Sequence, residues 1–306
     1  MFAVAELGDL RGQTIVVTGA TSGLGFAAAA ALAGAHATVV ITARDAAKGD
    51  AALQRLRAKA PSPSDVHCGV LDQRSLESVR QFALWLTAAH PTVHCLMLNA
   101  GVFGPDFELI GGCESHFLIN HLAPFLLVKL LLPALKASPA VSRIVFVSSD
   151  SHRDIKSTPD WTLVAVKEYH GPIGFLQHYG WSKLANAQTS IMLAEKLASE
   201  GVTHIYVNAV HPGALISTNA DSKIPFAQNW LGHIIARIVK STRPDADFGC
   251  LTQVYLAASK DVVEKGYRGQ YFVPTAQLGQ VTEIGADKES QQQLWELSEK
   301  LVKDFV

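Results

Sequence analysis

Short apolar runs rich in β-branched residues alternate along the chain with longer stretches of helical character. The strand-like runs lie at 14–17, 37–42, 66–71, 93–98, 142–147 and 204–210. The helical stretches lie at 23–33, 46–60, 75–89, 114–136 and 177–199, with Pro61 and Pro63 closing the second and Pro91 the third. Six strand–helix alternations with short joints predict right-handed crossovers. They imply an α/β architecture of three layers, in which helices cover both faces of a mostly parallel sheet. No repeat, low-complexity segment or linker divides residues 1–306, which read as one domain. Two stretches break the rhythm. Residues 150–176 are irregular and read as a substrate loop. Residues 213–247 begin Ser/Asn-rich, carry an apolar piece at 230–239 and read as a lid-like insertion.

Composition narrows the function classes. With 306 residues, 48% hydrophobic and 17% charged, the chain can bury a sizeable core. A net charge of -1 without basic runs argues against nucleic acid or anionic membrane as partners. Cys68, Cys95, Cys113 and Cys250 show no metal-ligand spacing; they predict reduced thiols, no metal site and a cytoplasmic setting. Residues 1–13 contain Glu6, Asp9 and Arg11 and lack the apolar core of a signal peptide. Residues 117–135 match a membrane span in length, but Asn120, His121, Pro124, Lys129 and Pro133 interrupt them. They read as a buried helix.

Candidate chemistry gathers at the strand ends. Tyr179 and Lys183 lie four residues apart on a predicted helix and so share a face. An ammonium beside a phenol favours the phenolate, so the pair can move a proton on or off an oxygen; a solvated helix face is the alternative. Gly19, Thr21, Ser22, Gly23, Leu24 and Gly25 follow the first strand and open the first helix. Such a joint lets backbone N–H groups approach a pyrophosphate, although a bare glycine turn has the same composition. At the tip of the second strand, Ala43 and Arg44 replace the acidic residue that would bind the ribose of NAD. Arg44 suits a 2′-phosphate, hence NADP(H). Asp45 competes with that reading unless it caps the next helix, and Asp72 is either an adenine contact or a helix cap. Asn99, Ala100 and Gly101 end the fourth strand with small residues that let the chain pass close to a cofactor. Ser149 ends the fifth, facing the ligand crevice. His211, Pro212 and Gly213 end the sixth, with His211 read as structural rather than as a base.

In this order these motifs resemble the short-chain dehydrogenase/reductase family from about Gln13 to Pro274. The resemblance implies a doubly wound Rossmann fold on a mostly parallel seven-stranded sheet. It implies that Ser149 polarises a carbonyl, that Tyr179 transfers the proton and that Lys183 lowers the tyrosine pKa and binds the nicotinamide ribose. Asn120 would hold a water linking Lys183 to solvent. Asn120-His121-Leu122, the run from Ser148 to His152, the run from Ser182 to Asn186 and the run from Leu294 to Ser298 are similar to the retinol dehydrogenase and WW-domain oxidoreductase branch. Neither a membrane anchor nor a WW domain is read in the chain.

Ser151, Trp161, Phe175, Trp181, Phe226 and Trp230 lie in or beside the irregular stretches and are candidates for an apolar substrate pocket; packing the loops is their alternative role. The expected reaction interconverts a ketone or aldehyde with an alcohol on a bulky aromatic, polyketide-like or terpenoid-like substrate, in the reducing direction. A carbon–carbon double-bond reductase and a non-catalytic NADP-binding regulator are the competing functions. The apolar faces of 114–136 and 177–199 fit either double-sided burial in a monomer or a four-helix contact in a homodimer.

Overall fold

The computed structural model describes residues 2–60, 65–104, 107–167, 174–213 and 246–306. Strands β1 (Thr14–Val17), β2 (Thr38–Ala43), β3 (Val66–Val70) and β4 (Cys95–Leu98) alternate with helices α1 (Gly23–Gly34), α2 (Ala46–Lys59) and α3 (Leu76–Ala89). A two-stranded ribbon, β5 (Leu109–Ile110) and β6 (Cys113–Glu114), leads into α4 (Ser115–Ala137). Then come β7 (Ser142–Val147), α5 (Gly174–Ser199), β8 (Ile205–Val210), α6 (Leu251–Ala258), β9 (Tyr271–Val273), β10 (Gln277–Gly279) and α7 (Lys288–Val302).

The sheet runs β3-β2-β1-β4-β7-β8-β9-β10. All neighbours are parallel except β9 and β10. Among the described residues the sheet therefore has eight strands rather than the expected seven. The additional strand is three residues long, too short for a periodic signal, and folds back just after Pro274. The strand order reverses between β1 and β4, which opens a crevice beyond their carboxyl ends.

Alternation along β1 shows why both faces are covered. Ile15 and Val17 pack with Ala28 and Leu32 of α1, Leu56 of α2 and Val254 of α6. Val16 joins the opposite cluster, with Phe82 of α3, Phe125 of α4, Leu184 of α5 and Leu294 of α7. None of the three β1 side chains is exposed. Helix α4 is apolar enough and long enough to cross a membrane, yet 72% of its most apolar window is buried inside the fold. It is a core helix. Its residues Leu118–Leu122 form a π turn, which adds one residue to the local repeat and rotates Asn120 and His121 inward.

Helix α7 lies across both α4 and α5. Trp295 meets Phe125 edge to face with ring centroids 5.0 Å apart. Ser298 bonds His121 at 2.8 Å, and Gln188 of α5 reaches Ser290 at 3.1 Å. The chain thus buries apolar surface of both helices against its own C-terminal helix.

Candidate active site

A cleft of about 580 Å³ occupies the crevice at the reversal point. It gathers residues from every strand end between β1 and β8. The loop after β1 brings Gly19, Thr21, Ser22, Gly23, Leu24 and Gly25; the tips of β2 and β3 bring Arg44 and Asp72. Asn99, Ala100 and Gly101 follow β4, Ser149 follows β7, and His211, Pro212 and Gly213 follow β8. Tyr179 and Lys183 reach in from α5.

The glycine loop is shaped by contact. Gly19 has φ 67°, and a Cβ there would sit 2.7 Å from the Ala100 Cα. A Cβ on Gly25 would lie 2.4 Å from Asn99 Nδ2 and 2.7 Å from the Gly19 carbonyl oxygen. Asn99 ties the two loops together: its Nδ2 donates to the Thr18 carbonyl at 2.8 Å, and its Oδ1 accepts from Gln253 at 2.9 Å. Ser22 takes the N-cap position of α1 without a capping side-chain bond, so the first N–H groups of the helix keep free valence beside the cleft. Open backbone donors at a positive helix end suit a pyrophosphate. Gly25→Ala is expected to lower stability by about 1–3 kcal/mol, as overpacking does, and to weaken dinucleotide binding. Thermal melting with and without NADPH checks both. An unchanged melting temperature and an unchanged ligand shift would overturn this account of the loop.

At the far end, Arg44 is exposed, lines the cleft and has no ion-pair partner among the described residues. Lys48, which the sequence reading did not single out, lies beside it. Asp45 is the N-cap of α2 and binds the Lys48 N–H at 2.9 Å. Its carboxylate thus has the capping role left open above. Asp72 is not the cap of α3, since Ser75 is; the Asp72 carboxylate accepts the Arg74 N–H at 3.0 Å on the cleft wall.

At the near end, Lys183 is 4% exposed and donates from Nζ to the Val147 carbonyl at 3.0 Å. Its Nζ stands 5.4 Å from the Tyr179 ring centroid. Burial pulls the Lys183 ammonium down to about 8. Burial also raises the Tyr179 phenol above its usual value, against the lowering effect of a hydrogen bond with Ser149. Desolvation outweighs the Ser149 hydrogen bond, so the net direction for Tyr179 is upward. Ser149 Oγ accepts the Ser151 N–H at 3.2 Å and also bonds the Ser151 hydroxyl, which places Ser151 next to the cleft. His211 Nδ1 accepts the Asp150 N–H at 3.1 Å, which accounts for it structurally.

Asn120 does not line the cleft and is fully buried. Its Oδ1 accepts from the Val102 N–H at 2.7 Å, and its Nδ2 donates to the Val102 carbonyl and to Ser182 Oγ, each at 3.0 Å. Its own carbonyl accepts from Asn186 at 2.9 Å. It therefore braces the loop after β4 against α5.

The aromatic candidates separate. Phe175 meets Phe103, a cleft residue, at 5.4 Å, and Phe103 meets Tyr179 at 4.9 Å, so these rings form one apolar wall. Trp161 and Trp181 belong to the core instead. Trp161 is 2% exposed and donates from Nε1 to Ser290 Oγ at 3.0 Å. Trp181 packs in the cluster beneath α5. Both indoles are buried in the core cluster and neither lines the cleft. Phe226 and Trp230 lie outside the described residues. Sequence reasoning also missed a polar pair at the start of α4, Glu114 and His116. His116 lines the cleft, and its ring centroid is 6.5 Å from that of Tyr179. The signal was two titratable residues heading an otherwise apolar helix.

A family model described as short chain dehydrogenase matches residues 13–157. The WW domain-containing oxidoreductase of Gallus gallus is 33% identical, with 97% of this chain and 69% of that protein covered. Retinol dehydrogenase 14 of Mus musculus is 35% identical, with 96% and 87% covered. A crystal structure of a protein from Mycobacterium paratuberculosis superposes with a TM-score of 0.75 at 31% identity, covering 99% of this chain and 97% of that one.

Proposed function

The chain belongs to the short-chain dehydrogenase family of oxidoreductases, and from that premise we propose that it is an NADP(H)-dependent carbonyl reductase acting on bulky hydrophobic ketones or aldehydes. The observation that carries this reading is one continuous cleft with Arg44 and Lys48 at one end and Ser149, Tyr179 and Lys183 at the other. A bound nicotinamide supplies or accepts the hydride. The chain's own residues handle the proton and the geometry. Ser149 Oγ donates a hydrogen bond to the substrate carbonyl oxygen. Tyr179, held protonated by burial, delivers its proton to that oxygen as the carbonyl becomes an alcohol. Lys183 holds the ribose and stays cationic below about pH 8.

Phe103 and Phe175 support an aromatic or otherwise bulky substrate. A regulator without turnover would have no need of the Ser149, Tyr179 and Lys183 constellation. Double-bond reduction would ask less of Ser149. The reading is tested by mixing protein and NADPH with aromatic ketones and enones and following nicotinamide absorbance. Turnover of ketones supports it. NADPH binding without turnover of any of them favours the regulator.

We place the protein in the cytoplasm, where its thiols stay reduced. Cys95 and Cys113 are buried thiols outside any disulfide among the described residues. We also take it to be a monomer, because α7 covers apolar surface of α4 and α5 that a four-helix contact would use. Light scattering should give the mass of one chain. A stable dimer would overturn this.

A further inference from the structure

The turn that follows β7 is held from two sides. Asp150–Asp154 form a 3-10 turn, and Ser149 is its N-cap in extended backbone, with φ -155° and ψ 156°. On one side the turn presses on α5: a Cβ on Gly180, the residue after Tyr179, would lie 2.9 Å from the Ser151 carbonyl oxygen. On the other side it meets β9 through His152. That residue is 0% exposed, and its ring centroid lies 5.0 Å from that of Tyr271. Neither His152 nor Tyr271 lines the cleft. Ser149 therefore stands on a wedge between the helix that carries Tyr179 and a strand behind the site.

The wedge is polar as well as packed. The Ser149 carbonyl oxygen accepts twice from His152, from the backbone N–H at 3.2 Å and from ring Nδ1 at 2.7 Å. A carbonyl oxygen has no proton to give, so the proton of the second bond is on Nδ1. The Tyr271 hydroxyl lies 3.3 Å from the same Nδ1 and offers it a lone pair. The direction of a carbonyl is set by ψ of its own residue, and ψ fixes the backbone frame from which the side chain projects. Ser149 Oγ in turn accepts the Ser151 N–H at 3.2 Å, so a shift of the turn moves the hydroxyl. We infer that His152, backed by Tyr271, is a positioning residue for Ser149: its ring N–H holds the Ser149 carbonyl and thereby aims the Ser149 hydroxyl at the substrate oxygen. This rests on the carbonyl-reducing reading above.

The experiment is a double-mutant cycle on the whole chain with NADPH and an aromatic ketone. His152→Phe keeps a ring against Tyr271 and removes the donor. It should lower kcat roughly five- to a hundredfold, the range between one lost buried hydrogen bond and a misplaced catalytic group, with KM for NADPH within about twofold. His152→Asn loses the ring but keeps an N–H donor, and should stay within about threefold of the wild type. In Ser149→Ala, itself slower by roughly 10²–10³-fold, adding His152→Phe should change the residual rate by less than about twofold. Should His152→Phe fail to fold, Tyr271→Phe, which removes one oxygen, should show the same pattern with a loss of roughly two- to tenfold. Equal losses with and without the Ser149 hydroxyl overturn the inference, and so does an unchanged kcat. Hydrogen exchange at the Ser151 amide reads the same geometry without turnover. Its N–H is held by Ser149 Oγ, so exchange should quicken at least about fivefold in either ring variant while the amides of β1 keep their rates. Unchanged exchange at Ser151 overturns the inference. If the wild type oxidises NADPH with no ketone, it is the carbonyl-reducing reading that has failed, and the exchange result then decides the positioning by itself.

Discussion

Replacing Tyr179 by Phe is expected to lower kcat for ketone reduction by roughly 10²–10⁴-fold, the usual worth of a positioned proton donor, while NADPH affinity stays within about twofold. The ring remains, so its edge-to-face contacts with Phe103 and His116 remain. Only the hydroxyl bonded to Ser149 is removed. A structural role for the tyrosine would move the melting temperature and NADPH binding together; a proton-transfer role moves kcat alone. Equal activity of the wild type and Tyr179→Phe would overturn the assignment. The pH profile gives a second reading of the same site. Burial raises the Tyr179 pKa, so the donor stays loaded through neutral pH. Burial lowers the Lys183 pKa to about 8, so its charge is present below that pH and lost above it. Reductive kcat/KM, which reports the free enzyme, should therefore be flat near neutrality and fall as pH rises through about 8. A profile that keeps rising through pH 9 would contradict this.

Arg44→Ala is expected to weaken NADPH by roughly tenfold to a hundredfold and to leave NADH within about twofold. The range corresponds to losing charge-assisted hydrogen bonds to a phosphate dianion. Three features make Arg44 the discriminating residue. It lies at the β2 tip on the cleft wall, Ala43 beside it carries no charge, and Asp45 is engaged as the α2 cap. Lys48 lies on the same wall and keeps part of the attraction. Equal losses for both dinucleotides, measured by fluorescence titration, would overturn the choice of NADP(H).

Much of the cleft lining is legible in the sequence because it sits at strand ends. A β-branched run followed by Gly19, Gly23 and Gly25 can do little else than turn tightly into a helix. Ser149 and Arg44 inherit their places from the strands that precede them. The helix period puts Tyr179 and Lys183 on one face regardless of what lies opposite. These readings depend on neighbours a few residues away, and local spacing carries that information.

Contacts across the chain are a different matter. Trp161 and Trp181 have the composition of pocket residues, and only the packing of α7 and the core beneath α5 shows that they are buried elsewhere. Glu114 and His116 acquire meaning from Tyr179, which stands more than sixty positions away in sequence. Whether Lys183 or desolvation governs the tyrosine depends on how much water the fold removes from both groups. The eighth strand turns on a three-residue pairing with no periodicity to announce it. By itself, then, the sequence determined the alternation of elements, the glycine-rich turn after β1 and the shared helix face of Tyr179 and Lys183, because periodicity and chain connectivity are local. The tertiary structure alone decided which aromatics face the cleft, how burial shifts the titrating groups and what covers the apolar helices, because those depend on which distant side chains share one excluded volume.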